Sequence, residues 1–400
     1  MKRILIIDRF FFPDEQATSV YLTELTTLLA TKFHFQVLSG PPAVVTEKST
    51  PPPPVQVFQV SCLHLPKRFL WGRLMSDVSF LLTALIRGLF LPRPDLMVSQ
   101  TSPPGIWWVV FVLSRWHRTP WIHISKDVFP DNLIAMRPGK KSFFLSLLKK
   151  LSDFPLKRAV RTVVIGEDMK KKFLEKGLPE SSLFKICDWV DPNFIKPLPK
   201  SVFWNASFDG RSKFVVLYAG NFGRSHNFED LLGAAENLKN NPKIHFTLVG
   251  DGSMKKSLEN EARDRGLPNF SIVSFEPRSR LPLVLASADA SVILLRKGLA
   301  GLSVPSKIYS ILAAGRPVIA CVDEQSDIAE MVKESNSGFV VPPGNISKFV
   351  KVIRCLAGNS KLRIQMGKNA RRYAEEKDFK TRALQGYQRV FNMVLNSGIH

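Results

Sequence analysis

The stretch Ser303–Ala320 reads SVPSKIYSILAAGRPVIA, and its order of signals is loop, helix, turn and strand. A Pro-Ser-Lys turn leads into an apolar helical run, and Gly-Arg-Pro then ends the helix before a β-rich segment. The unpaired backbone N–H groups at a helix start, together with the positive end of the helix dipole, favour an anion. Ser306 and Lys307 therefore predict a phosphate clamp, and the alternative is a capped surface helix.

Outward from this stretch, β-rich runs alternate with helical patterns in both halves of the chain. This alternation predicts an α/β protein with parallel, doubly wound sheets. The predicted strands are Arg3–Ile7, Phe35–Ser39, Val55–Val60, Asp95–Ser99, Pro120–Ile124, Arg161–Ile165, Phe214–Ala219, Ile244–Val249, Ser271–Ser274, Ala290–Leu294, Pro317–Val322 and Gly338–Val341.

Length and periodicity together indicate two domains. A chain of 400 residues with 45% apolar content exceeds what one core usually holds. Periodicity is lost between residues 186 and 214, where prolines are closely spaced. We predict a first domain over 1–192, a linker over 193–213, a second domain over 214–377 and a separate C-terminal helix over 378–400.

Cysteine usage and the apolar runs bear on the cellular compartment. The 4 cysteines show no Cys-x-x-Cys spacing, so neither a zinc site nor a disulfide framework is indicated. The apolar run Ile4–Ile7 is too short for a signal peptide, and the longer runs fall short of the roughly 20 residues that span a bilayer. We expect a cytoplasmic protein, with peripheral association at the inner face of the plasma membrane left open.

The charge distribution favours a polyanionic partner. The net charge is +22, and residues 51–161 hold 16 Lys and Arg against 5 Asp and Glu. The sequence contains no zinc-finger spacing, RNA-recognition signature or helix-turn-helix pattern. We therefore expect an anionic membrane surface rather than a nucleic acid.

One predicted helix, Ser142–Arg158, combines apolar residues at helical spacing with lysines beside them. Such a helix can lie on an anionic membrane surface, and the alternative is a helix that simply covers the sheet. The residues concerned are Phe144, Leu147, Leu148, Leu151, Phe154, Lys140, Lys141, Lys149 and Lys150.

Glycine-rich turns follow two predicted strands, at the sheet edge where open α/β sheets bind ligands. The segment Gly220–Asn227, GNFGRSHN, allows close backbone approach to a phosphate and offers the Arg224 guanidinium for a bidentate contact. The segment Gly250–Ser253, GDGS, is common turn chemistry, and an ordinary turn is the alternative for both. Arg278 and Arg280 follow the predicted strand Ser271–Ser274. They either line a ligand or are solvated surface charges.

These motifs resemble glycosyltransferase family 4, whose members are retaining enzymes of the GT-B fold. The matching segments are the Pro-Ser-Lys turn with Leu-Ala-Ala-Gly-Arg-Pro-Val-Ile-Ala, the Gly-x-x-Gly-Arg loop and the Val-Gly-Asp-Gly turn. The first is especially similar to the family's bacterial surface-polysaccharide branch. The resemblance implies two Rossmann-like domains facing a cleft, the first binding the acceptor and the second the nucleotide sugar, with the last helix crossing back to the first domain.

The resemblance also implies roles for individual residues. Asp127 follows a predicted strand in a segment similar to the family's Asp-Leu-Trp-Pro-Glu, so it is a candidate catalytic residue beside Arg224 and Lys307. His123 lies inside that strand, as a catalytic residue or a core histidine. The donor-binding residues implied by the resemblance are Gly223, Arg224, Gly250, Asp251, Gly252, Arg278, Ser303, Ser306, Lys307 and Ser310.

The chain departs from the family pattern at two positions. Family members usually carry two glutamates eight positions apart, which hold donor-sugar hydroxyls and the ribose, and here Leu302 and Ser310 stand in their places. A serine hydroxyl can bond the ribose more weakly than a carboxylate. An alternative function is therefore a catalytically impaired donor-binding or partner-binding subunit with the same fold.

The function implied by the resemblance is that of a hexosyltransferase-like enzyme. It would move a sugar from a nucleotide diphosphate donor, UDP-linked, to a membrane-associated acceptor in cell-surface polysaccharide or glycolipid assembly. That acceptor is lipid-linked or a polysaccharide. Because the sequence has no Asp-x-Asp cluster, we expect no metal and no cofactor, with Arg224 and Lys307 meeting the charge of the leaving diphosphate.

Overall fold

A computed structural model describes residues 1–42, 54–63, 70–136, 143–200 and 212–397. Several predictions fall outside these ranges. They are most of the Pro51–Pro54 tract, whose composition predicts a stiff loop, residues 201–211 of the predicted linker, and Lys140 and Lys141. The side chain of Phe144 lies outside them as well.

The chain divides into two compact units. Unit 1 contains Met1–Cys187, Gly301–Ser303 and Thr381–His400, and unit 2 contains Asp188–Ala300 and Val304–Lys380. Unit 1 ends slightly before the predicted boundary at residue 192, because residues after Cys187 bind unit 2. Asp191, for example, accepts a hydrogen bond from the Lys380 ammonium at 2.6 Å. The roles predicted for the two domains, acceptor binding and nucleotide-sugar binding, stay predictions.

Unit 1 is built on a seven-stranded parallel sheet in the order β3-β2-β1-β4-β5-β6-β7. The central strands are buried on both faces, which explains their continuous apolar runs. The strands are β1 (Arg3–Ile7), β2 (His34–Ser39), β3 (Gln56–Gln59), β4 (Leu96–Ser99), β5 (Trp121–Ser125), β6 (Arg161–Val164) and β7 (Leu183–Lys185).

Helices connect these strands and cover the sheet. The helices of unit 1 that precede residue 187 are α1 (Ala17–Leu29), α2 (Leu70–Leu89), α3 (Ile106–His117), α4 (Asp131–Ala135), α5 (Phe143–Leu156) and α6 (Glu167–Glu175). Helical periodicity over Thr18–Lys32, Ser76–Phe90, Gly105–Trp116 and Ser142–Arg158 predicts α1, α2, α3 and α5. The short elements α4, α6 and β7 carry too few periodic residues to be recognised.

Unit 2 repeats the architecture with a six-stranded parallel sheet in the order β10-β9-β8-β11-β12-β13. The strands are β8 (Phe214–Ala219), β9 (Ile244–Val249), β10 (Phe270–Val273), β11 (Ala290–Leu294), β12 (Val318–Cys321) and β13 (Gly338–Val341). The helices that follow β8 along the chain are α7 (Phe228–Asn237), α8 (Lys255–Asp264), α9 (Leu281–Ala286), α10 (Lys307–Ala313), α11 (Asp327–Ser335), α12 (Ile346–Gly358), α13 (Ser360–Lys377) and α14 (Phe379–Asn396).

Most of the last helix, α14, belongs to unit 1. Its residue Phe391 packs edge-on against Phe33 and Phe35, with ring centroids 5.7 and 6.3 Å apart. The return of the C-terminal helix to the first domain, which the resemblance implied, is thus confirmed. In the part of the chain that the structure describes, no helix is both long enough and apolar enough to cross a bilayer.

Candidate active site

The site forms at the carboxyl end of β8, where the strand order of unit 2 reverses between β8 and β11. Open α/β sheets bind ligands at such a switch point. Hydrogen bonds join the loop after β8 to the end of β11 on the other side of the switch point. The His226 Nδ1–H donates to the Leu294 carbonyl at 2.8 Å, and the Arg296 N–H donates to the Ser225 carbonyl at 2.9 Å. The glycine-rich loop is therefore held at the place where a ligand is expected.

Three glycines let the loops after β8 and β9 pack against each other. Gly220, Gly250 and Gly252 have φ values of 134°, 149° and 153°, which side chains rarely adopt. A Cβ on Gly250 would lie 2.0 Å from the Gly220 carbonyl oxygen, and one on Gly252 would lie 2.6 Å from the Phe222 backbone nitrogen. Both turns of the sequence prediction thus form one interlocked surface.

Lys307 passes directly under this surface. Its Cε lies 2.5 Å from where a Cβ on Gly220 would be. Its ammonium donates a hydrogen bond to the Tyr218 hydroxyl and lies 3.7 Å from the centroid of the Tyr218 ring. Among the described residues Lys307 has no acidic partner. The structure therefore places a buried amine beneath a backbone loop that can receive an anion.

Burial determines the pKa shifts of Lys307 and Tyr218. Desolvation lowers the pKa of Lys307 to about 7 and raises the pKa of Tyr218 well above its usual value. The pKa of His226 falls to about 3, chiefly through burial and further through the charge of Lys307, so this imidazole is neutral. An arriving diphosphate would favour the charged form of Lys307 and raise its pKa again.

The other predicted donor-binding residues of this region differ in exposure, since Arg224 is exposed while Ser306 and Ser310 are half-buried. Arg224 is exposed and makes no hydrogen bond or ion pair within the described part of the chain. Ser306 precedes the seven-residue helix α10 but forms no side-chain capping bond, and Ser310 lies one helical turn from Lys307 on the same face. α10 itself is largely buried, so the alternative of a surface helix does not hold.

Asp251 and Arg278 have structural contacts of their own. The Asp251 carbonyl accepts from the Phe222 N–H at 2.7 Å, and its carboxylate accepts from the Gly252 N–H at 2.7 Å. The Arg278 guanidinium lies 5.6 Å from the centroid of the Phe194 ring, and Arg280 forms an exposed ion pair with Glu276 at 3.1 Å.

Ser303 lies in the short segment Gly301–Ser303, which belongs to unit 1. The chain before and after this segment, Asp188–Ala300 and Val304–Lys380, belongs to unit 2. The structure pairs Ser303 with Asp127 in an antiparallel bridge, and the Val128 N–H donates to the Leu302 carbonyl at 2.9 Å. The Gly301 N–H donates to the Asp168 carboxylate at 3.1 Å. A predicted donor-binding residue and the predicted catalytic aspartate are therefore neighbours.

Two buried titratable groups lie near the carboxyl edge of the unit 1 sheet. His123 shares a 2.9 Å hydrogen bond with the Ser99 hydroxyl, and burial lowers its pKa to about 3, which supports a core histidine. Asp8 accepts from the Phe10 N–H at 3.0 Å, while its Oδ2 has no hydrogen-bond partner among the described residues. Burial raises the pKa of Asp8 to about 8.

Tyr218 and Asp168 were not predicted from the sequence. Tyr218 lies in a strand that the sequence predicts, but no local signal pairs it with a lysine 89 positions away. Within the ranges that the structure describes, no group of three His, Cys, Asp or Glu side chains could hold a metal ion.

Comparisons with known proteins bear on the family and the fold of the chain. Residues 205–373 match the family model of glycosyl transferases group 1. The chain is 27% identical over 368 residues to the probable glycosyltransferase WbjE of Pseudomonas aeruginosa, covering 88% of this chain and 89% of that protein. It is 27% identical over 195 residues to the putative colanic acid biosynthesis glycosyl transferase WcaI of Escherichia coli K12, covering 48% of this chain and 47% of that protein.

A solved structure shares the fold across the whole chain. Anabaena HepE, crystallised with UDP and glucose, has a TM-score of 0.76 at 16% identity and covers 98% of this chain and 100% of that one. The two sheets and this likeness confirm the GT-B fold. The match to the glycosyl transferases group 1 model and the two glycosyltransferase relatives confirm the resemblance seen in the sequence.

Proposed function

We propose that the protein transfers a sugar, with retention of anomeric configuration, from a UDP-linked donor to a membrane-associated acceptor in surface-polysaccharide assembly. The observation that carries the proposal is the Lys307 amine, held by Tyr218 under the glycine loop at the switch point of unit 2. A buried amine without an acidic partner among the described residues is costly unless an anionic ligand uses it.

The donor part of the proposal rests on the chemistry of a diphosphate. Backbone N–H groups of the Gly220–Arg224 loop, the Arg224 guanidinium and Lys307 offer donors and positive charge to it. The structure of HepE was solved with UDP and glucose, which supports uridine as the base and a hexose as the sugar.

The acceptor part rests on the relatives and on surface chemistry. WcaI is described as a colanic acid biosynthesis enzyme, which supports a polysaccharide or its lipid-linked precursor as acceptor. Helix α5 exposes Leu147, Leu151 and Phe154 beside Lys149 and Lys150. Such a helix supports peripheral location at an anionic membrane, where a lipid-linked acceptor would be met.

The proposed chemistry breaks the bond between the sugar C1 and the diphosphate oxygen, and forms a bond from an acceptor hydroxyl oxygen to C1 on the same face. Negative charge grows on the leaving diphosphate, where Arg224 and Lys307 stabilise it without a metal. A base takes up the proton of the acceptor hydroxyl. We assign Asp127 either as this base or as the group that orients the hydroxyl.

The test is a screen of UDP-, GDP- and dTDP-sugars for nucleoside diphosphate release, with and without a lipid extract that contains sugar-linked carriers. We expect release from at least one UDP-sugar, stimulated by the extract, and an anomeric configuration in the product that matches the donor by NMR. Tight UDP binding without release from any donor would favour the impaired-subunit alternative. Absence of both binding and release would contradict the proposal.

A further inference from the structure

Helix α2 has its large apolar side chains on the outside. An amphipathic helix of a globular protein normally turns its apolar stripe toward the core. The buried stripe of α2 instead carries Gly72, Ser76, Phe80, Ala84 and Gly88, at every fourth position. The opposite stripe is exposed between 40% and 76%, and it consists of Trp71, Leu74, Met75, Val78, Leu82 and Ile86. We call these six residues the α2 face.

The rotation of α2 is fixed by its inner stripe. A Cβ on Gly88 would lie 2.4 Å from Leu113 Cδ1 of α3, so a larger residue here would require the Leu113 side chain to move. The His117 Nε2–H donates to the Gly88 carbonyl at 2.9 Å, and the half-buried Asp77 carboxylate pairs with Arg9. The Ser76 hydroxyl donates to the Gly72 carbonyl at 2.8 Å, which satisfies the polar atom on the inner stripe. The α2 face is therefore held outward by specific packing.

The apolar surface continues onto the neighbouring helices. Helix α3 contacts both α2 and α5, and it exposes Val112 and Trp116. Trp108 of α3 stacks on Phe154 of α5, with ring centroids 5.7 Å apart. Because monomeric proteins rarely expose a contiguous apolar surface of this extent, the three helices indicate an interaction site.

The charges of these helices select the partner. α2, α3 and α5 contain only two acidic residues, Asp77 and Asp153, and Asp153 pairs with Lys176 at 2.8 Å just as Asp77 pairs with Arg9. The exposed cations of these helices include Arg87, Arg115 and Lys150, while Lys149 pairs with Asp131 of α4 at 2.8 Å. An apolar face bordered by cations is complementary to an anionic lipid surface. A second copy of the chain would bring the same positive charge against itself.

We propose that the α2 face enters the interfacial layer of an anionic bilayer and is the main membrane-docking surface of the enzyme, with α3 and α5 beside it. α2 lies parallel to the membrane plane, because its inner stripe stays packed on α3 while the α2 face meets the acyl boundary. Docking by the α2 face deepens the proposed function. It rests on that function in one respect, the location of the acceptor at the membrane. It assigns docking to α2, whereas sequence periodicity pointed to α5.

The test is flotation with phosphatidylcholine vesicles, with and without phosphatidylglycerol. The variant replaces three well-exposed residues of the α2 face, Leu74→Gln, Leu82→Gln and Ile86→Gln, which should leave the fold intact. A matched control replaces exposed apolar residues elsewhere with glutamine, at Leu174, Ile364 and Met393. We expect binding to phosphatidylglycerol vesicles to fall at least tenfold in the α2 variant only, with UDP affinity unchanged in both.

A second readout follows Trp71, which is 76% exposed at the start of α2. Brominated lipids should quench its fluorescence, and Trp71→Phe should remove much of that quenching. Equal vesicle binding by the α2 variant and the wild type would overturn the proposal, as would a wild-type oligomer that the α2 variant converts to a monomer without vesicle binding. The two proposals can also fail separately. If the wild type binds vesicles through the α2 face but binds no nucleotide, the docking site is supported and the proposed function is contradicted.

Discussion

The Lys307 ammonium donates a hydrogen bond to the Tyr218 hydroxyl and lies over the Tyr218 ring, 3.7 Å from its centroid. The pair joins the start of α10 to the end of β8, directly beneath Gly220. The tyrosine gives the amine a hydrogen-bond acceptor and a π face but no full negative charge, so an anionic ligand can supply the missing charge.

The first prediction is that UDP binding takes up a proton. The pKa of Lys307 is about 7 in the unliganded protein, so at pH 8 the amine is mostly neutral, and a bound diphosphate restores the ammonium. Calorimetry at pH 8 in buffers of different ionisation enthalpy should show uptake of about one proton, and the affinity should fall by up to about tenfold per pH unit above pH 7.

Lys307→Met provides the control for this linkage. The variant should bind UDP more weakly at pH 7, with no proton uptake and a nearly flat affinity between pH 7 and 9. His226 does not titrate in this range, because its pKa is about 3. Undiminished proton uptake in the methionine variant would assign the linkage to another group.

A second prediction compares two glycines with positive φ. Gly220→Ala adds a Cβ 2.5 Å from Lys307 Cε, so the lysine must move, whereas Gly298 has a φ of 80° and no atom within 4 Å of its Cβ position. Each alanine should cost about 1 kcal/mol of unfolding free energy. Only Gly220→Ala should weaken UDP binding, by about tenfold or more; equal affinities in the two variants would contradict the role of the loop.

A third prediction concerns the two absent glutamates. Ser310 lies one turn after Lys307 and is partly exposed, so Ser310→Glu can place a carboxylate near the ribose and should tighten UDP binding about tenfold, the value of one charge-assisted hydrogen bond. Leu302 is 7% exposed, and Leu302→Glu should instead lower the melting temperature, because it buries a charge. Unchanged or weaker affinity in Ser310→Glu would place the ribose elsewhere.

A fourth prediction follows from Asp8. Its pKa is about 8 in the folded state and about 4 when unfolded, so the folded state holds the extra proton and stability falls as pH rises between these values. Asp8→Asn removes this loss. Urea unfolding should show that the free energy of unfolding of the variant, measured relative to that of the wild type, rises by up to about 1.4 kcal/mol for each pH unit between pH 6.5 and 8. A constant difference across this range would show that Asp8 is already ionised.

The sequence predicted the sheets and the loops, because parallel strands buried on both faces leave continuous apolar runs such as Ile4–Ile7. It placed the Gly220–Arg224 loop and Lys307 in one site only through the family resemblance. Contacts between distant positions, such as Tyr218 with Lys307 or Ser303 with Asp127, have no local signal. The outward face of α2 also escaped prediction, since periodicity shows that a helix has two faces but not which of them is buried.

The central claim, that Arg224 and Lys307 stabilise the leaving diphosphate, is tested most directly by turnover in Arg224→Ala and Lys307→Ala. Arg224 is exposed, so its variant should keep the wild-type melting temperature. Each charge-assisted contact to phosphate is worth roughly 1.5–3 kcal/mol, so we predict that kcat for sugar transfer falls about ten- to a hundred-fold in each variant. Full turnover in both variants, with an active wild type, would show that the diphosphate is bound elsewhere.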